Sequence, residues 1–107
     1  MTLFEKILAR KIPAKIVHED EHCFAIEDIN PQAPGHLLVI PRKVIPKLSD
    51  ATAEDAEVLG RCMLAAAKLA GGKDFRLVIN NGDEAGQTVF HLHLHVLTGR
   101  KFGWPPG

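Results

Sequence analysis

The sequence predicts an α+β domain built on an antiparallel sheet, on three observations. Short apolar runs of strand length recur between tight turn signals. One stretch alone sustains a long helical period. Residues 90–97 alternate strictly between imidazoles and apolar side chains. Strand runs joined by tight turns around a single inserted long helix favour antiparallel pairing over crossover-linked parallel strands. The chain has 107 residues, enough for one domain over 1–107 with a real core.

Residues 2–9 read as a short helix with Leu3, Ile7 and Leu8 on one face, ended by Pro13. Lys15–Glu19 and Cys23–Glu27 read as a hairpin around Asp20, Glu21 and His22. Residues 30–35 form a loop held open by Pro31 and Pro34, and His36–Ile40 is a buried strand between Gly35 and Pro41. Thr52–Ala70 is the long helix: Thr52 and Asp55 make a capping box, and Gly71 and Gly72 supply the stop. Val58, Leu59, Cys62, Met63, Ala66 and Ala70 fall on one face of it. Gly60 costs this helix about 1 kcal/mol relative to alanine, and either a second backbone passes close or the glycine is merely tolerated. Arg76–Asn80 is a strand, 81–88 a glycine-containing loop, and Phe90–Leu97 the alternating strand. The tail, 99–107, is too rich in glycine and proline for regular structure.

Composition narrows the function classes. Hydrophobic residues make up 46% of the chain, which excludes a disordered segment. Thirteen basic residues balance thirteen acidic ones, which argues against general affinity for nucleic acid or anionic membranes. Any anion must therefore be bound by a few placed groups. Cys23 and Cys62 form no Cys-x-x-Cys pair and read as reduced core thiols. The charged start lacks a signal-peptide core and no apolar run spans a membrane, so the expected location is the cytoplasm.

Half of the six histidines lie within five residues, His91, His93 and His95, alternating with Leu92, Leu94 and Val96. On a strand the imidazoles share one face, with Cα atoms ~6.8 Å apart. An ordinary solvated face would mix Lys, Glu and Thr instead. Two chemistries suit such a row. A metal could be held by a His-x-His pair, with His36 as the candidate third ligand. Alternatively, a neutral imidazole, the majority form near pH 7, could attack phosphorus while its neighbours donate to phosphate oxygens or the leaving group. The loop before the row decides for phosphate: Gly82 and Gly86 permit turns that aim backbone N–H groups at an anion, and Gln87 and Thr88 add side-chain donors.

His91-Leu92-His93-Leu94-His95-Val96-Leu97 resembles the signature of the histidine triad (HIT) superfamily. The likeness extends to Ala14-Lys15-Ile16 with Cys23, to Asp28-Ile29 with Pro31-Gln32-Ala33-Pro34 and His36, to Gly86-Gln87-Thr88-Val89, and to Gly99-Arg100 with Trp104-Pro105-Pro106-Gly107. In order and spacing these resemble the Hint branch, the homodimeric purine-nucleoside phosphoramidases. The resemblance implies a five-stranded antiparallel sheet with one long and one short helix, continued across a homodimer. It also implies hydrolysis of a purine nucleotide derivative of AMP or GMP type, with no cofactor.

Residue roles follow from the same likeness. His93 is the nucleophile, and His91 and His36 stand behind it, with the His91 backbone orienting its ring. His95, Gly86, Gln87 and Thr88 hold the phosphate with Asn80 beside them. Asp28 accepts from the ribose hydroxyls, Ile29 lies against base or sugar, and Trp104 reaches the partner's site to shape its leaving-group side. Phe4-Glu5-Lys6-Ile7 stands where zinc-containing relatives carry Cys-x-x-Cys, so no metal is expected. Val44 replaces a further histidine of some members. The dinucleoside polyphosphate hydrolases share the triad but are not expected to share the Trp-Pro-Pro-Gly tail. His95 argues against the nucleotidyl transferases, which carry glutamine there. A non-catalytic nucleotide-binding protein would keep the same pocket.

Overall fold

Five strands form one antiparallel sheet in the spatial order β1-β2-β3-β5-β4: β1 (Ile16–Glu19), β2 (Cys23–Glu27), β3 (Gly35–Pro41), β4 (Phe75–Val78) and β5 (Leu94–Thr98). A computed structural model describes all residues, 1–107. Helix α1 (Leu3–Leu8) and helix α2 (Ala56–Leu69) pack on opposite faces of this sheet. No helix is long and apolar enough to cross a membrane.

Strand alternation assigns each face its own core. Cys23 and Ala25 of β2, Val39 of β3, and Leu94 and Val96 of β5 meet Cys62, Ala65, Ala66 and Ala70 beneath α2. These helix residues are small, so α2 lies close on the sheet. The other face carries Phe24, Ile26, Leu38 and Ile40, covered by Phe4 and Ile7 of α1. Full burial of a side chain such as Phe4 contributes about 1.5–3 kcal/mol. Both faces of β2 are therefore closed, and Cys23, Phe24, Ala25 and Ile26 are all buried. Helix α1 is only six residues long, too short to persist alone. It is held by this packing and by a reciprocal cap in which Thr2 Oγ1 accepts from Glu5 N and Glu5 Oε1 accepts from Thr2 N.

Several sequence expectations shift in detail. On α1 the buried residues are Phe4 and Ile7, whereas Leu3 is exposed. The short helix is anchored by its aromatic residue rather than by Leu3 and Leu8. The Thr52–Asp55 capping box forms as expected, but residues 53–55 make a 3₁₀ turn and the α-helix proper begins at Ala56. Met63 turns outward and Ala65 takes its place in the core. Nothing beyond the helix's own backbone lies within 4 Å of the position of a Cβ on Gly60, so no second segment of the chain explains that glycine. The alternating strand begins at Leu94 rather than Phe90.

One glycine is dictated by sterics. Gly99, just past β5, has φ +94°, and a Cβ there would lie 2.8 Å from the Cβ of Pro34. Gly99→Ala is expected to destabilise the fold by about 1–3 kcal/mol, through left-handed strain and this clash. Urea unfolding followed by circular dichroism measures it, and an unchanged midpoint would show that the turn relaxes freely.

Candidate active site

Strand β5 carries His95 on the same sheet face as Leu38 and Ile40, the face that α1 covers. His93 lies two residues earlier, before the strand pairs, with its ring 4.9 Å from that of Phe4. The rings of His93 and His95 are 5.1 Å apart. Asp28, Ile29, Thr88, His93 and His95 line one open cavity of about 260 Å³, whose other walls are largely apolar and include Phe4, Ile12 and Leu38. The expected row of three imidazoles is only partly realised. His91 precedes the strand, is fully buried, and does not line the cavity.

Hydrogen-bond partners assign the tautomer of each ring. His91 Nε2 donates to the carbonyl of Pro41 at 2.8 Å, which leaves Nδ1 to accept from the Thr2 hydroxyl at 2.8 Å. The carbonyl of His91 accepts from His93 Nδ1 at 2.8 Å. In neutral His93 the lone pair therefore sits on Nε2. A second chain runs through His36. Its Nδ1 accepts from the backbone N–H of Gln32 at 3.0 Å, so its Nε2 carries the proton and donates to His95 Nδ1 at 2.9 Å. His95 then bears its own proton on Nε2. One ring thus offers a lone pair and its neighbour an N–H donor. Asp28 Oδ2 lies 3.4 Å from His36 Nε2, while its Oδ1 accepts from Asn30 N.

Burial keeps these rings neutral. Desolvation lowers the pKa of His36, His91 and His93 below the ordinary 6.5, against weaker opposing pulls from Asp28, Glu5 and backbone carbonyls. His95 is lowered to about 4, first by burial and then by the neighbouring His93 and His36.

The loop between β4 and β5 departs from the sequence reading. Gly82 and Gly86 do have positive φ, both +91°. Their N–H groups, however, are spent inside the loop: Gly82 N donates to Gln87 Oε1, and Gly86 N to the carbonyl of Asp83. Gln87 is buried and donates to the carbonyls of Pro46 and Val89. Asn80 donates to the carbonyl of Ala85. Gly86, Gln87 and Asn80 thus shape the loop rather than line the cavity, and exposed Thr88 and half-buried Val89 are the loop residues that reach it with His93 and His95. Trp104 is 85% exposed and lies outside the cavity.

Sequence reasoning missed Thr2, Gln32 and Pro41 as supports of the histidines. Only Thr2 left a legible trace, the Thr-x-x-Glu pattern of a capping box over residues 2–5.

The four neutral rings set an acid limit on stability. Unfolded imidazoles titrate near 6.5, above their folded values, so the unfolded chain binds more protons in between. Stability contributed by these sites is complete above pH 6.5 and is lost as pH falls toward about 4. Urea unfolding free energy is expected to decline steadily over this window, and less steeply in His95→Gln. A flat profile in the parent chain would contradict the burial-driven shifts.

Comparison with known proteins agrees with this geometry. The family model described as HIT domain matches residues 9–102. An uncharacterized HIT-like protein of Synechocystis sp. is 59% identical, over 99% of this chain and 96% of its own length. The crystal structure of a HIT family hydrolase from Legionella pneumophila superposes with a TM-score of 0.96 at 45% identity, covering all of both chains. A HIT family hydrolase from Clostridium thermocellum gives 0.91 at 43% identity, over 95% of this chain and 93% of that one. The paired histidine chains, the sheet that carries them and these likenesses together place the chain in the HIT family.

Proposed function

We propose that the chain is a nucleotidyl hydrolase that cleaves the P–N bond of purine nucleoside 5′-phosphoramidates, of the adenosine 5′-monophosphoramidate kind. The observation that carries this reading is the pairing of His93 and His95: a lone pair on His93 Nε2 beside a proton on His95 Nε2, at the wall of one cavity. His93 Nε2 attacks the α-phosphorus and forms a P–N bond to the ring. The substrate's P–N bond breaks, and the amine leaves with that electron pair and takes up a proton. Water then attacks phosphorus, releasing the nucleoside monophosphate and restoring neutral His93. His95 and Thr88 donate to the phosphate oxygens as charge builds on them.

The cavity also suits the rest of a nucleotide. Its apolar walls fit a nucleobase, Asp28 offers a carboxylate to ribose hydroxyls, and Ile29, 94% exposed, has no cover from the chain itself. The likeness to the Legionella and Clostridium proteins, both described as HIT family hydrolases, supports hydrolysis. His93→Ala is expected to lower turnover of an adenosine phosphoramidate by about a thousandfold or more while nucleotide binding persists. Near-normal turnover would end the covalent reading. Dinucleoside polyphosphates assayed alongside test the substrate class, because preferential cleavage of these would move the assignment to that branch.

We further propose that the working form is a homodimer with a continuous sheet. Strand β4 is a sheet edge, and Phe75 on it and Met63 and Leu64 on α2 are exposed large apolar side chains. Gly60 on the same helix has open space around it. The tail is anchored near this edge: Arg76 donates to the carbonyl of Gly103, and both Arg76 and Arg100 stack on Phe102. Trp104 projects beyond that anchor, consistent with a role at the partner's leaving-group side. In sedimentation at micromolar concentration the parent chain is expected at dimer mass, and Gly60→Leu shifted toward monomer by overpacking a two-fold contact. A parent chain that sediments as a monomer would overturn the dimer.

A further inference from the structure

On the α2 face of the sheet, away from the triad cavity, His18, Asp20 and Cys23 bring three donor atoms within 4.8 Å of one another. They are an imidazole nitrogen, a carboxylate oxygen and a thiol sulfur. The Cys23 thiol is the buried member of the three and belongs to the core beneath α2. We propose that this cluster is a binding site for a zinc-type divalent cation, ligated by His18 Nε2, Asp20 Oδ2 and Cys23 Sγ, with the fourth position taken by water.

The hairpin turn fixes the central ligand. Asp20 Oδ1 accepts from the backbone N–H groups of His22 and Cys23, at 2.7 and 2.8 Å. Bracing the turn requires only that oxygen. The second oxygen, Oδ2, is met by His18 Nε2 at 2.7 Å and by Cys23 Sγ at 3.5 Å. A turn brace gives no reason for an imidazole and a thiol to converge on one carboxylate oxygen. Mixed N, O and S donors from three residues suit a tetrahedral zinc ion whose fourth position is left to water. Ligand atoms around such an ion lie about 3.4 Å apart or slightly more. The Cys23–Asp20 separation already fits, and the His18–Asp20 pair must open by about 0.7 Å to reach that spacing.

The polar edge is accessible and the sulfur edge is sealed. The side chains of His18 and Asp20 are 26% and 37% exposed, whereas Cys23 and Cys62 are fully buried. An ion therefore arrives from the turn. Binding replaces protons: the Cys23 thiol releases its own to solvent, and the Nε2 proton of His18 is given up so that the neutral ring carries its proton on Nδ1 and turns the Nε2 lone pair to the ion. The sequence alone presents Cys23 as an inert core thiol, because the three donors have no familiar ligand spacing.

The test is a Co²⁺ titration of the reduced, metal-free full-length chain, read by absorbance. One equivalent is expected to produce thiolate-to-Co²⁺ charge-transfer absorption with tetrahedral d–d bands, both erased by Zn²⁺. Cys23→Ser should abolish the charge-transfer band. His18→Ala, on a partly exposed edge strand and safe for folding, should weaken Co²⁺ affinity by about tenfold or more. His95→Ala should leave the spectrum unchanged. That control matters because Asp28, His36 and His95 also converge within 4.8 Å, but without sulfur. Absence of a sulfur band in excess Co²⁺, or a band indifferent to His18→Ala, would overturn the proposal.

Discussion

The hydrogen bond from His93 Nδ1 to the carbonyl of His91 governs the site, because it decides which nitrogen of His93 is free. That carbonyl is useful only if His91 cannot move. Its ring is clamped between Thr2 at the start of α1 and the carbonyl of Pro41 at the end of β3. A six-residue helix on one sheet face thus sets the orientation of a group on the last strand. The same helix supplies Phe4, which packs edge-on against both His91 and His93 and helps to exclude water from them. Packing and tautomer choice are here one arrangement: loosen α1, and both the desolvation and the alignment of His93 are lost.

The β4–β5 loop works in a complementary way. Glycines with positive φ suggest an anion nest, yet the N–H groups of Gly82, Ala85, Gly86 and Gln87 are satisfied within the loop, which folds around the amide of Gln87. It is a rigid post rather than a cradle. Its output is the placement of Thr88 at the cavity and the delivery of the chain into His91. The side-chain N–H donor at the cavity is that of His95, whose orientation is inherited from His36 and the Gln32 backbone. A chain with no net charge can handle an anion in this way, because the donors are local and pre-aligned.

Much of the fold is legible in the sequence. The two-residue alternation separates His93 and His95 from Leu92, Leu94 and Val96 correctly, the Thr52–Asp55 box marks the start of the long helix, and the five strands fall close to their expected positions. Pattern fails where tertiary contacts override it. Leu3 and Met63 fit a helical stripe by spacing, but Phe4 and Ala65 occupy the core because the sheet offers room for one ring on one side and only for a methyl on the other. Of the residues that line the cavity, His93 and His95 are readable from residue type and alternation, and Asp28 only through the family resemblance. Thr2, Gln32 and Pro41 are not, because they act through a hydroxyl, an amide and a carbonyl brought in from distant segments. Such backbone partners have no sequence signature of their own.

The anchored tail has a practical consequence for optical work. The chain contains one tryptophan and no tyrosine, and that tryptophan is Trp104, 85% exposed beyond the Phe102 clamp. Its indole already stands in solvent while the protomer is folded. Intrinsic emission of this protein will therefore be nearly blind to melting of the core. It will respond instead to anything that covers the tail, so the native chromophore reports contacts of Trp104 rather than unfolding.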